Sequence, residues 1–141
     1  MSFFDPAPVF MRPGIAVVRI ITGTLLICHG SECFDAAKMN EYAGWFTEKH
    51  YSMPAVMAYA GKIAELLAGI GFALGFLTRL ASLAAIAAFT GIIFLLGDKG
   101  KVFEGDQHPF LFILLAIIFY CTGPGALALD NIVFKRSSAS S

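Results

Sequence analysis

Five ionisable side chains, Arg19, His29, Glu32, Lys62 and Glu65, interrupt stretches that are otherwise almost wholly apolar, and they are where this chain can do chemistry. An uncompensated charge at mid-bilayer costs at least about 2.5–3.5 kcal/mol on insertion scales, so these groups are expected to face a bundle interior or its mouth and to meet one another. Arg19, Thr22, Leu26, His29 and Cys33 recur at alternating steps of three and four, which lays them along one stripe of a helix with Gly23 and Gly30 beside it. Gly61, Lys62, Glu65, Gly69 and Phe72 form a second stripe whose glycines permit close approach. With antiparallel helices ending near common planes, the helical rise sets Arg19 about 9 Å, Glu65 about 16 Å and His29 about 22 Å from the surface nearer the termini. Arg19 and Glu65 are therefore expected to pair, with His29 and Lys62 nearer the opposite surface. Two readings of that pair stand side by side. It is a buried ion pair fixing helix register, or it organises a polar pocket for a quinone head group or other small redox partner. In the second reading His29 and Glu65 are the catalytic candidates, an imidazole being able to exchange a proton near neutral pH. Arg19, Thr22 and Lys62 are then the substrate-binding candidates.

Metal and thiol chemistry have weaker claims. His29 and Glu32 have the i, i+3 spacing of carboxylate metal bundles, and Glu65, Asp106 and His108 would have to complete the ligand set; one such pair occurs where two are needed, so no metal centre is expected. His108, just before Pro109, reads more simply as a helix-entry residue. Cys28 and Cys33 lie about 140° apart around one intact helix and are poorly placed for a disulfide. Cys28 and Cys121 are expected to be small buried hydrophobes, leaving Cys33, beside Glu32 at a helix mouth, as the candidate redox thiol.

The elements that must carry these residues follow from composition. The 141 residues are 57% hydrophobic and 14% charged, with a mean hydropathy of +0.74, which exceeds what a soluble domain of this size buries. A hydrocarbon slab about 30 Å thick needs about 20 apolar helical residues per crossing. The chain is thus expected to be an all-α integral membrane four-helix bundle, one domain over residues 1–141, with spans at about 14–34, 54–77, 80–97 and 109–128. The fourth is the weakest. Its clean run at residues 110–122 gives only about 20 Å of helix, so it must extend through 123–129, tilt, or sit where the bilayer is thin. Thr78-Arg79 is read as a very short turn between the second and third spans. Residues 35–52 mix Tyr42, Trp45, Phe46 and Tyr51 with Lys38, Glu41, Glu48, Lys49 and His50, which suits a short surface helix or a cap over the bundle end. The serine-rich residues 137–141 read as a disordered terminus.

Charge excludes some classes. A formal net charge of zero leaves no basic face for phosphate backbones, so nucleic acid is not an expected partner. Arg12 followed by an apolar run imitates a signal peptide, but the run ends in Cys-His-Gly-Ser-Glu-Cys without an Ala-x-Ala-like site, and no cleavage is expected. Neither an internal repeat nor a broken helix pair supports a transporter. Basic residues divide evenly, with Arg12, Arg79, Lys135 and Arg136 on the side of the termini against Lys38, Lys49, Lys99 and Lys101 opposite. Cytoplasmic termini in a bacterial inner membrane are the expectation.

Taken in order, Arg19, His29-Gly30, Glu65 with Gly69, Gly75-Phe76-Leu77-Thr78-Arg79, Thr122-Gly123-Pro124-Gly125 and Leu129-Asp130 resemble the DoxX family of small four-helix membrane proteins across residues 15–130. The chain departs from that pattern at Cys33, where the family usually carries lysine, and at the start of the fourth helix, which has Asp106, His108 and Pro109. The resemblance implies similarity to the membrane subunit of thiosulfate:quinone oxidoreductases and to relatives linked to sulfur, thiol and oxidative-stress metabolism. It marks Arg19, His29, Glu65 and Arg79 as matching positions, Arg79 as a surface anchor. No haem, flavin or iron–sulfur signature is present, so the expected cofactor is at most a bound quinone, with no intrinsic group. The expected function is a quinone- or thiol-linked oxidoreductase component. The alternative is a non-catalytic accessory or structural subunit of a larger membrane complex. Expected partners are the lipid bilayer, other membrane redox subunits and further copies of the chain.

Overall fold

The computed structural model describes residues 10–97, 103 and 105–134. Lys99, Lys101, Lys135 and Arg136, on which the charge count partly rests, and the expected disordered tail lie outside the described residues. The described chain is all-α, in the order α1 (Met11–Gly30), a single 3-10 turn (Ser31–Phe34), α2 (Ala36–Glu48), α3 (Pro54–Leu74), α4 (Thr78–Leu95), α5 (Gln107–Thr122) and α6 (Leu129–Val133). The run Met11–Phe34, α3 and α4 are long and apolar enough to cross a membrane, whereas α5 is apolar but shorter. Its 16 residues give about 24 Å of helix.

Local chemistry sets the boundaries. Asp35 accepts from the backbone N–H groups of Ala37 at 2.9 Å and Lys38 at 3.3 Å, capping α2. Pro54 opens α3 at a position where its missing N–H costs nothing. Gly75, at φ 64°, ends α3: Phe76 N–H donates to the Gly71 carbonyl and Gly75 N–H to that of Phe72, closing a Schellman motif. The turn is therefore Gly75-Phe76-Leu77, and Thr78 and Arg79 belong to α4 rather than to the connection. Asp130 of α6 supplies the cap that α4 lacks locally, accepting from Leu77 N–H at 2.7 Å and Thr78 N–H at 2.9 Å. The expected extension of the fourth helix through 123–129 does not form, because Gly123 turns out of helical space at φ 77° and Pro124 follows with no N–H to donate. Only five residues later does α6 begin.

α1 packs mainly on α3, α3 on α4 and α4 on α5, while α1 and α5 barely touch and α2 lies over one end of α3. Glycine makes the α1–α3 contact: a Cβ at Gly69 would stand 2.7 Å from the Ile27 nitrogen, and one at Gly23 2.7 Å from the Gly69 carbonyl oxygen. Leu26, Phe72, Phe89, Phe112 and Phe119 fill the core among alanines, with Phe89 and Phe112 stacked at 5.0 Å. The outer faces of the long helices expose Val17, Ile21, Leu25, Leu67, Leu80, Leu83, Phe94, Leu111 and Ile118. That much apolar surface is costly in water and natural in lipid.

Candidate functional site

Arg19 and Glu65 do not pair. Arg19 is fully buried, and its guanidinium spends its donors on backbone carbonyls: Nε on Pro124 at 2.9 Å, Nη1 on Phe72 and Ala73, Nη2 on Leu127 at 2.9 Å and Ala126 at 3.4 Å. The rigid fork thus ties α1 to the carbonyl end of α3 and to the segment that follows α5. The expected pairing fails because orphan carbonyls at a helix end compete as acceptors, and they carry no mark in the sequence. Thr22 is likewise spent, its hydroxyl donating to the Val18 carbonyl at 2.7 Å.

The ionic cluster lies at the other end, under α2. Glu32, on the 3-10 turn, accepts from Lys38 Nζ at 2.5 Å through Oε1. Its Oε2 meets both the Tyr42 hydroxyl at 2.6 Å and Lys62 Nζ at 2.9 Å. Lys62 also reaches Glu65 Oε2 at 3.2 Å and sits 4.7 Å above the centre of the Tyr42 ring. Glu65 is 3% exposed. The chain Lys38–Glu32–Lys62–Glu65 alternates in sign and runs from the surface into the bundle. Lys62 and Glu65 open into a cleft of about 110 Å³ whose walls are Tyr42, Trp45 and Phe46 of α2, Met57, Ala58 and Gly61 of α3, and Ile92 and Leu96 near the end of α4.

Outside the spans, the cluster shifts two groups. Burial first, then the hydrogen bond to Glu32 and the charges of Glu32, Glu41 and Glu65, hold the Tyr42 hydroxyl protonated well above the ordinary tyrosine range. The ammonium of Lys38, donating to Glu32, is also raised. A folded value above the unfolded one adds stability that is whole below the unfolded value and lost as pH rises through the folded one, so both ties hold α2 at neutral pH and fail only above about pH 10. In a tyrosinate absorbance titration, the Tyr42 contribution, isolated by difference against Tyr42→Phe, is expected to ionise at lower pH in Glu32→Gln than in the wild type. A Tyr42 contribution that ionises at the same pH with and without Glu32→Gln would mean that the bond to Glu32 is absent in solution.

His29 stands at the seam between α1 and α5, its ring 5.2 Å from that of His108 and 6.5 Å from Phe112. It does not line the cleft, which Lys62 and Glu65 do. His108 stands in the first turn of α5, as a helix-entry residue, with its ring against those of His29 and Phe112. Cys28 and Cys121 are exposed on outer faces rather than buried, and Cys33 is half-buried against the Met39–Phe46–Ala58 cluster. Cys28 is exposed because it falls off the buried stripe of α1. Among the described residues no group of three His, Cys, Asp or Glu side chains is placed to hold a metal ion, and Glu32 is committed to two ammonium groups and a phenol. Sequence reasoning missed Tyr42, Trp45 and Lys38; the available signal was the amphipathic pattern of residues 36–48, which turns one aromatic face towards whatever lies beneath.

A relative from Haemophilus influenzae, described as an uncharacterized protein, is 29% identical over 128 residues, covering 86% of this chain and 92% of its own. No solved structure matches the chain. The DoxX family model matches residues 14–98, which run from the first turn of α1 through α4 and hold Arg19, the Glu32–Lys62–Glu65 cluster and every residue lining the cleft. The chain is a membrane protein that belongs to the DoxX family.

Proposed function

We propose that the cleft under α2 binds a quinone head group, and that the chain is the quinone-binding component of a membrane redox complex. The observation that carries this reading is a buried carboxylate–ammonium pair, Glu65 and Lys62, at the floor of an otherwise apolar cleft walled by Tyr42, Trp45 and Phe46. A quinone is a flat ring with two carbonyl acceptors; the aromatic wall suits the ring, and the Lys62 ammonium, which has a third N–H beyond those facing Glu32 and Glu65, is a donor for one carbonyl. In this proposal Glu65 exchanges a proton with the ligand, the His29–His108 pair passes it to the surface, and a partner subunit supplies or removes the electrons. α1, α3, α4 and α5 cross a bacterial inner membrane as a four-helix bundle with cytoplasmic termini, and α2 rests at the opposite surface. The thiol-linked version would instead work through Cys33 and would lose activity in Cys33→Ser.

A second reading, a non-catalytic subunit of a larger complex, is favoured by Arg19, whose donors are all engaged in holding helices together. One experiment separates the two. Trp45 is the chain's single tryptophan and lines the cleft, so a benzoquinone titrated into the purified protein is expected to quench its fluorescence saturably, and Glu65→Gln to weaken that binding about tenfold or more, a 1.4 kcal/mol change. Quenching that does not saturate, or that is indifferent to Glu65→Gln, would favour the structural subunit.

A further inference from the structure

The cleft is not a closed chamber. Phe46, Met57, Gly61 and Ile92 line both it and a second, larger groove of about 390 Å³ that continues between α3 and α4. Beyond those shared residues the groove is walled by Ala60 and Ala64 of α3 and by Ala84, Ala87, Ala88, Gly91 and Leu95 of α4, with no charged side chain. Apart from Leu95 these side chains are small, which leaves the groove open; neighbouring positions on the same outer faces carry Ile63, Leu67, Leu80 and Leu83. Ala60 and Ala87 are exposed, so the groove opens where the bilayer's hydrocarbon would lie. Through the shared residues it leads to the Lys62–Glu65 pair of the cleft.

We infer that the groove between α3 and α4 holds the hydrocarbon tail of the ligand whose ring occupies the cleft, so that the ligand class is a ring bearing a long alkyl or isoprenoid chain, entering sideways from the bilayer. This rests on the quinone reading and deepens it. The argument is continuity and chemistry. A ring seated against Lys62 and Glu65 has its remaining substituent directed past Gly61, the one shared residue with no side chain, where a built Cβ meets nothing within 4 Å. From there the path is apolar throughout, and a charged or polar substituent would find no partner along it. Because lipid tails are as apolar as the groove, the gain is contact and orientation rather than escape from water, and the groove selects for ligands whose chain leaves the ring on that side.

The test fills the groove without touching the ionic floor. Gly91 is helical, with only a Leu95 methyl at 4.0 Å from a built Cβ, so Gly91→Leu is accommodated and places its side chain in the groove. Two probes are titrated against Trp45 fluorescence in the same detergent: a benzoquinone bearing a decyl chain and the same ring bearing a methyl. The readout is the ratio of their affinities in the variant relative to wild type, in which partition into detergent cancels. Gly91→Leu is expected to lower the ratio about tenfold while leaving the methyl probe unchanged, and Ala88→Leu, one turn away, to do the same should Gly91→Leu misfold. A ratio unchanged in both variants, or a wild-type protein that binds the two probes alike, as when an ordinary lipid chain fills the groove, overturns the inference and leaves the ring site standing. Failure of both probes to quench wild-type Trp45 instead overturns the quinone reading itself.

Discussion

Arg19→Met is expected to destabilise the fold by about 3–5 kcal/mol, which is the cost range for stripping a buried cationic group from partners that stay buried. Methionine nearly preserves volume, so the loss measures the guanidinium itself. Five carbonyl oxygens, from Phe72, Ala73, Pro124, Ala126 and Leu127, would lose the guanidinium as donor, that of Phe72 keeping Gly75 N–H. The damage would spread through a shared node, because Gly75 ends α3 against Arg19 and its carbonyl accepts from Asp130 N–H, while Asp130 caps α4. Arg19→Lys is expected to lose less but still most of the tie, since one ammonium cannot span the carbonyls of α3 and those of residues 124–127 together. Unfolding in mixed micelles of mild detergent and dodecyl sulfate, followed by helicity, measures both variants. Wild-type unfolding of Arg19→Met accompanied by lost quinone binding would return Arg19 to the ligand pocket and remove it from the frame.

That contrast explains what the sequence made legible. Periodicity placed Arg19, Thr22, Leu26, Gly23 and Gly30 on the buried face of α1, with His29 turned instead towards α5, and the glycines of the two stripes signalled a close approach that the structure makes between Gly23 and Gly69. The turn after α3 was misplaced at Thr78-Arg79, although Gly75 carries the signature of a left-handed helix end. What was not visible was each charge's partner. Arg19 chose backbone carbonyls, whose positions depend on where α3 and α5 stop, and the stop of α5 is set by Gly123 and Pro124 far along the chain. Glu65 chose Lys62, its own i+3 neighbour, once Arg19 was taken. Tyr42 and Trp45 belong to a connection whose composition fits a surface helix as well as a cap; only the placement of α2 over α3, fixed by the Asp35 cap and by Glu32 reaching back to Lys38 and Tyr42, turns them into a wall of the cleft.

The same logic makes Lys62 the decisive residue for function. Its ammonium is shared by Glu32 at 2.9 Å and Glu65 at 3.2 Å, but the two carboxylates do not depend on it equally. Glu32 keeps Lys38 and Tyr42 when Lys62 is removed, whereas Glu65, nearly fully buried, loses its only ion-pair partner among the described residues. Lys62→Met is therefore expected to destabilise the protein by about 3–5 kcal/mol. Glu65→Gln alone leaves Lys62 paired to Glu32 and is expected to cost about 1 kcal/mol. Combining them removes both charges, and replacing a buried pair by uncharged groups of similar size is often close to neutral, so Lys62→Met/Glu65→Gln should recover most of the stability lost in Lys62→Met. The double variant is thus folded yet lacks both the ammonium and the carboxylate at the floor of the cleft. If the pair serves a ligand, Trp45 quenching by the decyl quinone stays lost in the double variant although stability returns. If the pair only fixes helix register, stability and assembly with a partner complex return together and quinone binding never depended on either residue. Quenching that survives in the double variant would sink the quinone site, and stability that fails to return would show that Lys62 and Glu65 are not an electrostatic unit.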